Sequence, residues 1–277
     1  MPDVTNERHG PIAVITLNRP EQRNSVSGTM LADLLRAFEE ADADDAVRVI
    51  VTVGAGSTYC VGADLDHVTS GVLDKPATDL VNDDDLGGDK GTGPLSPHRR
   101  LLEQLGIGRW TQRMVAVTTP SVAAINGACG GGGLAIAVLQ DFRIAAAGAR
   151  IIPGFLSVGV GPEMGISYLL PRLIGWQPAN RLLLTNPTLA AEEAHRIGLV
   201  DEVVPADRTL EEAMAYAERL AAQPPIAVRA TKQLLRHSAW NSFDQQLQAE
   251  YHTQLMLFGL PETRVRVARL RDRIRGR

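Results

Sequence analysis

Apolar residues along this chain fall either into short unbroken runs or into stripes at helical spacing. The run "IAVITLNRP" (Ile12 to Pro20) is β-branched, apolar and stopped by proline, so it predicts a strand. In "SGTMLADLLRAFEEADAD" the residues Met30, Leu31, Leu34, Leu35 and Phe38 share one face of an amphipathic helix. "VRVIVTVGAG" (Val47 to Gly56) predicts a second buried strand that ends in a turn. "SVAAINGACGGGGLAIAVLQD" reads as a strand, a glycine turn and an apolar helix. "FRIAAAGARI" (Phe142 to Ile151) is a strand pair, or a strand and a turn. Strands that recur with helices between them predict an α/β fold.

Two regions depart from that rhythm. From about Asp66 to Arg109 the chain includes "VNDDDLGGDKGTGPLSPHRR", whose acidic, Gly/Pro-rich composition predicts a surface loop, with Asp83, Asp84 and Asp85 solvated rather than holding metal. From Asp207 onward the pattern turns helical, in "TLEEAMAYAERLAA", "IAVRATKQLLRHSA" and "SFDQQLQAEYHTQLMLFG". The expected division is therefore an α/β core over 1–204 and a helical region over 205–277. No long internal repeat stands out.

Composition narrows the classes of function. The chain has 277 residues, 44% of them hydrophobic and 22% charged, with a formal net charge of −4, as expected of a soluble globular protein. It has no run of about 18 apolar residues, and MPDVTNERHG does not resemble a secretion signal, so a cytoplasmic location without membrane insertion is expected. Its two cysteines, Cys60 and Cys129, form no metal-ligand spacing with histidine, so no metal is expected. The tail Thr263 to Arg277 holds seven arginines and one acid, but no aromatic residue to stack on bases, and the chain as a whole is acidic. This argues against nucleic acid and for a basic helix that covers a neighbour or meets an anionic ligand.

Candidate chemistry gathers at two small-residue turns. Gly130 to Gly133 follow a strand and precede the apolar stretch Leu134–Leu139. Without Cβ atoms the backbone N–H groups can approach a phosphate, a carboxylate or a developing oxyanion; a tightly packed turn is the plain alternative. "GGGGLA" also fits G-x-G-x-x-A, but the acid that a dinucleotide site needs about 20 residues on is missing, since Asp141 comes too early. The second turn, in "GSTYCVGADLDH" (Gly56 to His67), could present another amide from Gly62–Ala63–Asp64. Two such turns after buried strands suggest an oxyanion hole. Asp64 reads as the cap of the next helix, and His67, which follows the same turn, is a candidate to reach a ligand held there. The other histidines have no nucleophile partner at motif spacing.

A further oddity is "GPEMG" (Gly161 to Gly165): Glu163 is the one carboxylate between Asp141 and Glu192 in a chain with 32 acidic residues. On its own it could simply begin the helix "MGISYLLPRL", because Pro at the first helical position with an acid in the first turn is a common start.

The ordered set "ITLNRPEQRNSV", "CVGADL", "AAINGACGGGGLAIA", "FRIAAAGARI", "LLPRLIG" and "EEAHRIGLVDEVVP" closely resembles the enoyl-CoA hydratase/isomerase (crotonase) superfamily, over about Ile12 to Pro205. The resemblance implies a spiral of ββα units, with C-terminal helices that assemble a homotrimer or a dimer of trimers. It implies a coenzyme A thioester as substrate, with no permanently bound cofactor. The thioester carbonyl would be polarised by the N–H groups of Ala63 and Gly132. The ligand would lie along Arg23, Val61, Gly62, Asp64, Leu65, Gly131, Phe155 and Pro162.

The same resemblance exposes a departure. The two glutamates that hold water in the hydratases correspond, counting from Gly132, to Ala135 and Phe155. Neither can move a proton. Glu163 matches the P-[DE]-x-G acid of the isomerase branches, in which one carboxylate takes a proton from C2 and returns it at C4. The resemblance thus implies an enoyl-CoA double-bond shift, with hydration, or CoA-ester binding without efficient catalysis, as the alternatives. Relative to family members, the stretch between "GAD" and "ING" is also about 25 residues longer, which is either an enlarged lid or a surface addition.

Overall fold

In the computed structural model, residues 2–67 and 106–276 are described. Residues 68–105 of the expected long loop, with Asp83 to Asp85 and His98, lie outside them, as does the His67 side chain; the two described ends of that stretch are helical rather than loop, in Leu65–His67 and Gly106–Ala116.

Among the described residues ten strands form two sheets: β1 (Val4–His9), β2 (Ile12–Leu17), β3 (Val49–Gly54), β4 (Thr58–Cys60), β5 (Ser121–Ile125), β6 (Ala128–Gly130), β7 (Phe142–Ala146), β8 (Arg150–Ile152), β9 (Leu189–Ala190) and β10 (Glu202–Val204). The larger sheet has the order β1-β2-β3-β5-β7-β10, and the smaller one the order β4-β6-β8-β9. All pairs in the larger sheet are parallel except β1 with β2. Successive strands alternate between the sheets: β3 then β4, β5 then β6, β7 then β8. This is the spiral of ββα turns that the family resemblance implies. The repeat is one of geometry, which is why no repeat stands out in the sequence.

The buried strands β2, β3 and β5 are the apolar runs, because a parallel sheet covered on both faces needs apolar side chains on both. One face belongs to the main core with the Met30–Ala43 helix, which buries Met30, Leu34, Leu35 and Phe38 and leaves Leu31 half-buried. The other face, with Ile12, Val14, Val49, Val51 and Val122, is covered by Ala213, Ala217 and Ala221 of the Thr209–Ala221 helix. That helix belongs to the compact unit that ends at Ala221, while a second unit begins at Ala222. The division at 204–205 read from the sequence marks where strands give way to helices, which is a different boundary. β1 escapes an apolar-pattern reading because it is an edge strand, "VTNERH", with only Val4 buried.

The second unit holds the helices Pro225–His237, Phe243–Gly259 and Pro261–Ile274. Ser242 starts the middle one with a reciprocal capping box to Gln245. Within the described residues no helix is long and apolar enough to cross a membrane, and no group of His, Cys, Asp or Glu could hold a metal ion.

Candidate active site

The site begins where β4 ends. Val26 donates to the Gly62 carbonyl at 2.7 Å, and its own carbonyl accepts from Asp64 N–H at 3.1 Å. This bridge grips the residues on either side of Ala63. Ala63 N–H therefore points away from its strand partner and has no acceptor among the described residues. Val61 N–H donates to the Arg23 carbonyl at 3.3 Å, so these two residues meet through backbone while the Arg23 side chain is exposed.

Gly62 brings the second turn alongside. Its φ is +89°, and a Cβ there would sit 2.7 Å from the Gly130 carbonyl oxygen and 2.9 Å from the Gly132 nitrogen. Only glycine fits such a close backbone crossing. Gly131 donates its N–H to Ile152 at 3.1 Å, so that donor is engaged. Gly132 opens the Gly132–Val138 helix, and its N–H is one of the first-turn donors without an intrahelical partner. The helix has only seven residues, so its opening N–H groups matter here rather than a long aligned dipole.

The Asp64 carboxylate caps the Leu65–His67 turn through Asp66 N–H at 3.1 Å, as the sequence implies. It also takes Ser25 Oγ at 3.4 Å and Ser27 Oγ at 3.3 Å, and lies 3.7 Å from the Arg19 guanidinium. Leu65 beside it is 57% exposed. Asn24 is fully buried in the left-handed region, with its side chain bonded to Arg19 N–H (2.8 Å) and to the carbonyls of Ala55 (3.0 Å) and Thr58 (2.7 Å).

Glu163 sits at the foot of an exposed arch. Residues 156–163 are all exposed, between buried Phe155 and buried Met164. Pro162 is part of this arch and does not begin a helix. The following helix runs Ile166–Ile174 behind Gly165, because Met164 (φ 55°) and Gly165 (φ 75°) both take left-handed backbone that a right-handed helix cannot continue. No helix N-terminus at Pro162 is therefore present to lower the Glu163 pKa. Although the residue is exposed, partial desolvation of its carboxyl raises its pKa above the ordinary glutamate value. The arch approaches the amide turns through Met164: a Cβ built on Gly132 would lie 3.6 Å from Met164 Sδ, 3.8 Å from Gly62 Cα and 3.9 Å from Val26 Cγ2.

Ala135 and Phe155 are both buried, at 1% and 5% exposure, within the main apolar core. Gly154, just before Phe155, donates to Asn186 Oδ1 at 2.8 Å, and Asn186 Nδ2 reaches Ser157 Oγ at 2.8 Å. Val26, Asn24, Met164 and Asn186 were not singled out from sequence. Their partners are distant in the chain, and the one local signal, asparagine's tolerance of left-handed backbone, is too common to single them out. Burial pushes the Cys60 thiol up to about 12 and that of Cys129 well above its usual value, so both stay protonated and unreactive.

The profile of the family described as Enoyl-CoA hydratase/isomerase matches residues 7–86 and 101–263. The chain is 33% identical over 269 residues to a protein named probable enoyl-CoA hydratase EchA12 in Mycobacterium tuberculosis, covering 96% of this chain and 86% of that one. It is 30% identical over 239 residues to 1,2-epoxyphenylacetyl-CoA isomerase of Escherichia coli, covering 86% and 84%. To (E)-benzylidenesuccinyl-CoA hydratase of Thauera aromatica it is 35% identical over 233 residues, covering 83% and 80%. Among solved structures, an enoyl-CoA hydratase subunit I from Geobacillus kaustophilus superposes with a TM-score of 0.83 at 29% identity, covering 98% of this chain and 95% of that one.

Proposed function

The chain belongs to the enoyl-CoA hydratase/isomerase family, and from that premise we propose that it shifts the double bond of an enoyl-CoA from the 3- to the 2-position, with Glu163 as the one base. The observation that carries this reading is the distribution of acids. At the two positions where a hydratase needs glutamates stand buried Ala135 and Phe155, while Glu163 lies one residue from Met164, which flanks Gly132.

In this reaction the thioester carbonyl accepts hydrogen bonds from Ala63 N–H and Gly132 N–H. Glu163 removes the C2 proton; the C2–H electron pair moves into the C1–C2 bond, and the carbonyl pair moves onto oxygen to give an enolate. As the carbonyl reforms, the C1–C2 pair moves to C2–C3 and the original C3–C4 pair takes the proton from Glu163 at C4. Atoms and charge balance with no added reactant. The two amides are worth most in the enolate, where charge is greatest. The raised Glu163 pKa makes its carboxylate a stronger base than an exposed glutamate, which favours proton abstraction.

Arg23, Val61, Gly62, Asp64, Leu65, Gly131, Phe155 and Pro162 complete the proposed coenzyme A ester site, with no permanently bound cofactor. Exposed apolar residues, among them Trp176, Leu184, Phe243, Leu247, Tyr251 and Leu255, support assembly into a homotrimer or a dimer of trimers.

Hydration of a 2-enoyl-CoA is the second reading, favoured by relatives that carry the name hydratase. Side-by-side assays with crotonyl-CoA and a 3-enoyl-CoA separate the two. Isomerisation well above hydration is expected; dominant hydration that survives in Glu163→Gln sinks the one-base scheme.

A further inference from the structure

Behind the two amide turns lies a buried cluster of polar side chains that the proposed chemistry does not use directly. Thr52 and Tyr59 are fully buried and Gln140 is 4% exposed. Thr52 Oγ1 and Tyr59 OH are 2.9 Å apart. The Gln140 amide places Nε2 at 2.8 Å from Thr52 Oγ1 and 2.9 Å from Tyr59 OH, with Oε1 at 3.0 Å from Thr52 Oγ1. Three polar groups in an apolar core are costly unless they satisfy one another, and a satisfied network holds one arrangement. Among the described residues no buried side-chain nitrogen or oxygen lacks a partner.

The placement of the three residues is specific. Thr52 lies on β3, bonded to β2 on one side and β5 on the other. Tyr59 lies on β4, directly before the Cys60–Ala63 turn. Gln140 follows Leu139 at the end of the helix that Gly132 opens. The strand pairing beneath the turns is short: β4 and β6 pair only at Thr58 with Ala128 and at Cys60 with Cys129, with an irregular register between them.

Resting on the reading of Ala63 and Gly132 as the amide pair, we infer that Thr52, Tyr59 and Gln140 are positioning residues that hold both amides in register against the central sheet. The cluster compensates for the short β4–β6 pairing by tying each arm to the same hydroxyl of β3. Burial also pushes the Tyr59 phenol well above its ordinary pKa, so it remains a neutral hydroxyl throughout the working pH range. Its place among the largest fully buried side chains leaves that hydroxyl no freedom to drift.

The test uses the full-length protein and a saturated acyl-CoA with a carbon-13 carbonyl. Infrared difference spectra report how strongly the bound carbonyl is polarised, and isomerisation kinetics are run in parallel. Wild type should shift the carbonyl stretch to lower frequency. Tyr59→Phe, Gln140→Met and Thr52→Val should lose part of that shift and lower kcat about 10-fold, with KM held within about 2-fold, as expected when transition-state donors are misplaced. Thr52→Ser, which keeps the hydroxyl, should restore both. Val122→Ala, in the core on the other face of the sheet, serves as the control for stability. The inference is overturned if the three variants lose thermal midpoint as the control does but keep the wild-type carbonyl shift and kcat. A wild-type shift without isomerisation would refute the proposed double-bond shift, and the variants' carbonyl shifts would still judge the inference. Absence of any wild-type shift overturns the amide pair and the inference together.

Discussion

The segment carrying Ala63 and the segment carrying Glu163 both approach Gly132, yet they are fastened in different ways. On the Ala63 side Val26 bonds to Gly62 and Asp64, Arg23 holds Val61, and Gly62 sits against Gly130–Gly132 too closely for any side chain. On the Glu163 side eight exposed residues, 156–163, span between two buried anchors, Phe155 and Met164. The difference suits the proposed roles. Donors that stabilise a developing charge help most when fixed beforehand, whereas a base that moves a proton from C2 to C4 must serve two carbons.

If the fixed side sets the rate, the largest loss should follow Gly62→Ala. A methyl there meets Gly130 and Gly132 at under 3 Å and must adopt φ +89°, so the two amides separate. Activity should fall about 10²–10³-fold, the range for losing one such donor. Near-wild-type turnover would show that the amide register is not what matters.

Phe155→Glu tests whether the second side can accept a hydratase acid. It removes a buried ring and places a carboxylate in the core, so a stability loss of about 3–5 kcal/mol is expected by denaturant titration, without a gain in crotonyl-CoA hydration. A stable, hydrating variant would break the contrast. Asn186→Ala releases the Gly154 end of the arch and puts alanine at φ 51°, costing about 1–2 kcal/mol with a higher KM.

The smallest effect is a displacement along the pH axis. Desolvation raises the Glu163 pKa, and its basic form grows as pH rises through that value. The ascending limb of kcat/KM should therefore lie above the ordinary glutamate range and vanish in Glu163→Gln. A limb at or below that range would mean that the carboxyl is solvated or paired during turnover.

Much of this was legible in the sequence, for physical reasons that differ by element. β2, β3 and β5 announce themselves because both their faces are buried. β4 and β6 do not: each is three residues long and embedded in a glycine turn, so periodicity has nothing to act on. The start of the helix after Glu163 was misplaced because left-handed backbone at Met164 is set by packing, which no local preference of methionine reveals. The glycine turns and Glu163 stood out as local composition, and family resemblance placed them on one reaction. The Thr52–Gln140 bond spans 88 residues and lies beyond any motif.

The central claim, one base facing an amide-held enolate, is tested most directly by exchange of the C2 protons of an acyl-CoA in D₂O, followed by NMR or mass spectrometry. Wild type should incorporate deuterium at C2, and Glu163→Gln should slow incorporation about 10²–10⁴-fold with an unchanged thermal midpoint. Exchange at the wild-type rate in Glu163→Gln, or none in the wild type, would contradict it.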